Sequence, residues 1–594
     1  MTKAKAKTPR TSEGSQQPAA TSSAKPDNTR ETIESIVIAL ILAFLFRAFE
    51  AEAFEIPTGS MGPTLLGRNK DVECPKCSFP FQAGVSFEVD DFGQPVHYPI
   101  EWRNSSEWER RQLAGQRVIA QTAVCPNCRY TMSVDPDHRI DELLQVDHPY
   151  SYSGDRIWVS KAPYVVSDPQ RWDVAVFKYP LGSNINYIKR VVGLPNERVM
   201  IRGGNIHAAP HGQSEFEIQR KPPHKILATL LPVYDTKYFL PELYEKGWPK
   251  PWQPMSASTG WKTEEGGKSF TIAADAQGEN WLGFQYVPAN WEVWEQIRLG
   301  RSLAGLSTRP QLVSDFCGYN TATWQAAPFT DPRALGIHWV GDLSLLSEFE
   351  VKSDQGEIEL VLVEGGRLLR CTIDVATGKV TLSIDGQDDF RPEALSGIRR
   401  PGTYQVRFAN VDDQLLVWVD GSLLEFSHST AYTEVDRPRP TAEDLTPARI
   451  GVRGAEVSVS RLRLDRDIYY IASRSTNQFS DYIGQPWLTD LNPDAIADFL
   501  SSPERWDAFR NLASVEFDLD NDHFLMLGDN SPHSGDSRYW YGEHSVGREL
   551  IIGKAFFVYW PHAWETTPSM PIPFRGRSIR VPFYPNVWEM RLIR

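Results

Sequence analysis

The chemistry legible in this chain lies in a serine, a lysine and a polar cluster, each set in a distinctive run of residues. Ser60 stands in FEIPTGSMGPTL, Lys189 in NYIKRVVGLPNE, and Ser534, Asp536 and Arg538 in LMLGDNSPHSGDSRYW. A serine hydroxyl attacks a carbonyl only when a neighbouring base removes its proton. A lysine can be that base only when neutral, and with an ordinary pKa near about 10.4 it is almost fully charged at neutral pH. It must therefore be held out of water in an apolar pocket. Lys189 suits this requirement, because the run Ile188-Lys189-Arg190-Val191-Val192 reads as a strand whose alternate positions are apolar.

Four of the six cysteines form a second constellation, Cys74-Pro75-Lys76-Cys77 and Cys125-Pro126-Asn127-Cys128. Two such knuckles can present four thiolates to one tetrahedral structural zinc, with no open position left for catalysis. Two disulfides compete with that reading if the segment lies in an oxidising compartment. Between the knuckles, WRNSSEWERRQLAG reads as a small helix. Cys317 and Cys371 stand alone and read as buried thiols.

The elements that must position these groups follow from composition and pattern. A chain of 594 residues divides into about three or four folding units. Its 41 Gly, 43 Pro and 11% aromatic residues predict a mainly β protein with many turns. A formal charge of −14 excludes general nucleic-acid affinity, which needs concentrated Lys and Arg. The start of the chain reverses this balance, with six basic residues in the first 30 against Glu13 and Asp27. Residues 1–31 read as a disordered basic tail. Ile36 to Phe46 is an unbroken run of eleven apolar residues, so residues 32–53 read as a single transmembrane anchor with Arg47 snorkelling to the interface. The basic flank then stays cytoplasmic and everything after residue 53 is exported. A cleaved signal peptide is the alternative, because Ala51-Glu52-Ala53 has the form of a cleavage site.

Past the second knuckle, GDRIWVSKAPY and RWDVAVFKYP alternate as half-buried strands do. From Trp339 to Tyr470, runs such as LSLLSEFEVKS, EIELVLVEGG and QLLVWVDG recur at about ten-residue spacing, which predicts a two-sheet sandwich. This segment resembles a concanavalin-like or laminin-G-like jelly roll, and its early part reaches back to about residue 255. The stretch NPDAIADFLSSPERWDAFRNL has Asn492 as a cap, Pro493 at the first helical position and helical apolar spacing.

Taken in order, IPTGSMGPTL, GDRIWVSK, RWDVAVFKYP with YIKRVVGLPNE, and GDNSPHSGDSRYW closely resemble the signature boxes of bacterial type I signal peptidase. The resemblance covers roughly residues 32–67, 150–206 and 521–561. It implies that Ser60 is the nucleophile and Lys189 its general base. It also implies that the Thr58 hydroxyl joins the Ser60 N–H in an oxyanion hole. Ser534 would orient the lysine, and Asp536 and Arg538 would form a supporting ion pair. The implied substrates are signal-peptide-bearing precursors, bound extended with small side chains before the cut, and no cofactor takes part in catalysis. Two departures stand out: Trp172 where the family usually has Gly, and Pro532-His533 inside the last box.

The resulting expectation is a mainly β catalytic core of residues 54–73, 129–205 and 515–594 behind the anchor. A zinc-ribbon-like insert occupies 74–128, an insert with the β-sandwich 206–470, and a helical connector 471–514. The enzyme would sit in the bacterial cytoplasmic membrane with its catalytic domain on the outer, periplasmic side. The competing expectation is a catalytically inactive, membrane-anchored protein that binds glycan or protein through the sandwich.

Overall fold

Residues 32–39, 51–90, 96–97, 118–134, 151–276, 280–324, 334–433, 439–475, 480–484, 493–561, 569–574, 577–582 and 589–594 are described by the computed structural model. Residues 32–39 are helical, and Ile33, Ile36, Val37 and Ile38 are exposed. The rest of the expected anchor up to residue 50 lies outside the described residues, as do residues 1–31 and the stretch 102–115 between the knuckles. Among the described residues no helix is long and apolar enough to cross a membrane. The expected span to residue 53 is corrected at its end, because Ala51–Glu55 is a strand at the edge of a large sheet.

The alternating runs noted in the sequence form that sheet. Its strands lie in the order Ala51–Glu55, Arg156–Ser160, Ile551–Trp560, Val174–Lys178, Asn186–Gly193, His523–Leu527 and Val546–Gly547. Strands distant in sequence are thus neighbours, which brings the strand just before Ser60 and the strand that carries Lys189 into one sheet. A second, four-stranded sheet joins Glu217–Ile218, Asn205–Pro210, Glu197–Arg202 and Ser514–Asp518. The hairpin of Asn205–Pro210 and Glu217–Ile218 therefore pairs with Glu197–Arg202, so residues on both sides of the expected boundary at 206 share one sheet.

Two large antiparallel sheets follow. One includes Leu343–Val351, Gly402–Asn410 and Val457–Arg466, and the other Glu357–Glu364, Arg367–Asp374 and Ala448–Arg453. Alternate residues such as Leu343, Leu345 and Phe349 on one sheet and Ile358, Leu360 and Leu362 on the other close over one apolar core. Leu231–Asp235, Trp252–Pro254, Ser269–Ile272 and Trp281–Phe284 belong to these sheets as well, so they start earlier than residue 255. The helix Pro493–Leu500 buries Ile496, Phe499 and Leu500, while Asn492 lies outside the described residues.

Trp172 explains how the insert is fastened to the core. It adopts φ +71°, the left-handed region that normally favours glycine. Its indole Nε1 donates to the Arg220 carbonyl at 3.0 Å, and Lys221 Nζ lies 4.9 Å from its ring centroid. Its own carbonyl accepts from Arg190 and Lys225, both at 2.8 Å. The bulky side chain is thus the seat on which residues 220–225 dock.

Candidate active site

Ser60 sits in a single 3-10 turn, Gly59–Met61, and is 8% exposed. Its carbonyl accepts the Asn530 N–H at 3.1 Å, and the preceding Gly59 carbonyl accepts Asn530 Nδ2 at 2.9 Å. The last sequence box therefore holds the serine turn directly. Gly528 makes this approach feasible: a Cβ there would lie 2.4 Å from the Ser60 carbonyl oxygen and 2.2 Å from Ser534 Oγ.

Lys189 comes from Asn186–Gly193, from whose fourth position onward every residue is buried. Its Nζ lies 2.7 Å from Ser60 Oγ and 3.0 Å from the Ile188 carbonyl oxygen. Loss of hydration on burial pulls its pKa down to about 8, against the opposing pull of Asp536 and Asp529 and with help from Arg538. A neutral amine at this distance can accept the hydroxyl proton and still donate an N–H to the carbonyl. The arrangement has the geometry of a nucleophile next to its base.

Two buried ion pairs flank this contact. Arg538 spans Asp536 with Nε–Oδ1 and Nη2–Oδ2 distances of 2.8 Å, and it also donates to the Ser531 hydroxyl and to the Ile471 and Ser531 carbonyls. Arg190 spans Asp529 in the same bidentate way, at 2.7 and 2.6 Å. The first pair is the one the resemblance implies. The second was not foreseen, although both partners stand inside the quoted boxes; a basic residue beside a lysine in a strand gives no sign of its partner.

Thr58 is exposed in extended conformation, and its hydroxyl does not cap the turn. Ser534 departs from expectation: its Oγ is buried and makes no hydrogen bond among the described residues, so the implied contact with Lys189 is not made. The lysine amine is engaged instead by Ser60 and Ile188. Asn530 and Tyr319, which also touch the serine turn, and Asn320, which pairs with Asn530, are not indicated by the sequence; Tyr319 and Asn320 lie in a stretch without periodicity.

The four knuckle cysteines converge. All are buried, and their sulfurs lie within 4.8 Å of one another. The Cys74–Cys128 and Cys77–Cys125 Sγ separations are 3.6 Å. A tetrahedron of Zn–S bonds of about 2.3 Å has Sγ–Sγ edges of roughly 3.8 Å, whereas a disulfide requires about 2.05 Å. The donor set and spacing fit a zinc ion. A second buried trio, Asp342, Asp412 and Asp467, is closed differently: Lys221 Nζ lies 2.7 Å from Asp412 and 2.8 Å from Asp467, standing where a cation would.

The model of the family "Signal peptidase, peptidase S26" matches residues 147–225 and 449–560. The matches support a type I signal peptidase family. Lys189, Asp529, Ser534, Asp536 and Arg538 fall within the matched residues; Ser60 and Thr58 precede them. Signal peptidase I of Pseudomonas fluorescens is 43% identical over 67 residues, 11% of this chain and 23% of the relative. Signal peptidase I of Pseudomonas aeruginosa is 68% identical over 34 residues, 6% and 12% of the two chains. The chain thus spans less than a quarter of the length of these curated relatives. Among solved structures, the carbohydrate binding module CBM66 from Bacillus subtilis is 10% identical, with 36% of this chain and 94% of that one covered. Its TM-score of 0.21 is too low to bear on fold or function.

Proposed function

We propose that this chain is a membrane-anchored serine endopeptidase that cleaves signal peptides from exported precursor proteins on the outer face of the bacterial cytoplasmic membrane. The observation that carries the reading is the 2.7 Å contact between buried Lys189 Nζ and Ser60 Oγ. In the reaction, neutral Lys189 takes the Ser60 proton as Oγ attacks the scissile carbonyl. The developing oxyanion is met by the Ser60 N–H and the Thr58 hydroxyl. Collapse of the tetrahedral intermediate breaks the C–N bond, and the lysine proton passes to the leaving amine. The acyl group stays on Ser60 as an ester until a water, deprotonated by Lys189, releases it.

Asp536 and Arg538 hold the loop that supports the serine turn, and Ser534 lines the same buried region. A precursor segment binds extended beside the strands Ala51–Glu55 and Asn186–Gly193, with small side chains before the cut. Catalysis needs no cofactor in this reading. Cys74, Cys77, Cys125 and Cys128 hold one structural zinc, which ties the two knuckles together.

The test is cleavage of a signal-peptide-bearing precursor by the full chain in detergent micelles. Ser60→Ala and Lys189→Ala, each retaining the wild-type melting temperature, lose turnover to the background of the assay. Near-normal cleavage by either variant would refute the assignment.

A further inference from the structure

The serine turn is gripped by a segment belonging to none of the signature boxes. Gly318–Thr321 forms a short 3-10 turn in which all four residues are buried. Asn320 and Asn530 exchange amide hydrogen bonds of 2.8 and 2.7 Å. Asn530 Nδ2 has two hydrogens: one goes to Asn320 Oδ1 and the other, at 2.9 Å, to the Gly59 carbonyl. Asn320 thereby fixes the orientation of the amide that holds the residue before Ser60. Removed from water as they are, these bonds are strong when complete, and an amide left half-satisfied is costly.

Tyr319 acts on the same turn from its side. Its hydroxyl accepts the Gly67 N–H at 3.2 Å. Its ring lies so close that a Cβ at Gly59, Gly62 or Gly84 would come within 2.5, 2.9 and 2.5 Å of its Cε1. Gly84 ends a strand of the first knuckle hairpin, Pro80–Gly84, and Ser86 just beyond it accepts the Gly59 N–H at 3.2 Å.

The other face of the Gly318–Thr321 turn rests on the second knuckle. Thr321 Oγ1 accepts the N–H of Val124, the residue before Cys125, at 2.9 Å. Thr323 and Thr122 bridge their backbones. Gly318 packs on the Pro126 ring, where a Cβ would come to 3.0 Å. A continuous set of contacts therefore runs from the Cys125-Pro126 knuckle through Tyr319 and Asn320 to Gly59 and Ser60.

We infer that Tyr319 and Asn320 are positioning residues for Ser60, and that the four-thiolate centre sets their place, so that zinc loading governs how well the nucleophile is aimed. The inference rests on the peptidase reading above and deepens it by adding a control point on the same site. Misplacing a reacting atom by about 1 Å costs on the order of a hundredfold in rate, so a small shift of this turn suffices.

The test uses the full chain in detergent micelles and a signal-peptide-bearing precursor. Asn320→Ala and Tyr319→Phe are expected to lower kcat about tenfold or more, with KM within about twofold of wild type. Zinc content and the pH at which activity rises are expected to stay unchanged, since neither the thiolates nor Lys189 is altered. Stripping zinc from the wild type with a chelator lowers kcat by a similar factor and raises hydrogen exchange across residues 56–67. In Asn320→Ala the same treatment adds little further loss, because the connection is already cut. Should Asn320→Ala fail to fold, Tyr319→Phe, which keeps the ring, decides by the same criteria. Folded variants with kcat within about twofold of wild type overturn the inference, as does a zinc-stripped wild type with full kcat and unchanged exchange. A wild type with no turnover at all strikes instead at the peptidase reading.

Discussion

Arg190 and Asp529 form a bidentate ion pair in the interior, with an Nη2–Oδ2 distance of 2.6 Å and side chains 1% and 0% exposed. The pair ties the strand that carries Lys189 to the loop that carries Asn530, so Lys189 and the holder of the serine turn are clamped by one contact. Arg190 also donates to the Trp172 carbonyl, on which the insert docks.

Removing one partner of such a pair leaves an uncompensated buried charge. Asp529→Ala is expected to destabilise the protein by about 3–5 kcal/mol. The urea midpoint of unfolding measures this, and an unchanged midpoint contradicts the clamp. Removal of the surface pair Arg298–Glu295 provides the contrast, with little expected effect on the midpoint.

His338 supplies a pH-dependent term away from the active site. It is buried between Asp315 and Asp481, at 2.7 and 2.9 Å, with Tyr469 and Tyr482 stacked on its ring. Although burial opposes its charge, the two carboxylates prevail and push its pKa up to about 10. A folded-state value raised above the unfolded one, near about 6.5, gives stability that is complete below that pH and lost as pH rises through about 10. The melting temperature of the wild type should therefore fall more between neutral pH and about pH 10 than that of His338→Gln. Parallel pH dependence in the two proteins contradicts a charged His338.

The knuckle geometry predicts metal stoichiometry. Purified protein should contain about one zinc per chain, with the four knuckle thiols titrating only after chelation or unfolding. Cys125→Ser should lose most of the metal and lower the melting temperature. Two disulfides in metal-free protein would contradict the assignment, and Sγ separations of 3.6 Å already exceed a disulfide bond.

Local pattern and long-range contact divide what could be read from the sequence. Alternation announced strands such as Val174–Lys178, Glu357–Glu364 and Leu343–Val351, because a residue's face in a sheet depends only on its parity in the strand. Ser60 and Lys189 were legible because short runs surround them, and the doubled CPxC spacing marked the four cysteines. The Arg190–Asp529 pair and the Asn320–Asn530 amides were not legible: their partners are separated by 339 and 210 positions, and no local period encodes such a meeting. The strands between residues 231 and 284 were partly hidden for a related reason. They are short pieces of three to five residues separated by Pro- and Trp-rich turns, and so few residues carry too little alternation to announce a strand.

If uncharged Lys189 activates Ser60, the pH dependence of kcat/KM for a precursor follows its titration, since that parameter reports the free enzyme. Burial lowers Lys189 to about pKa 8, so the deprotonated base prevails only above that pH. Accordingly, kcat/KM should rise about tenfold per pH unit below about pH 8 and level off above it. A profile that is flat across this range, or that falls as Lys189 loses its proton, would contradict it.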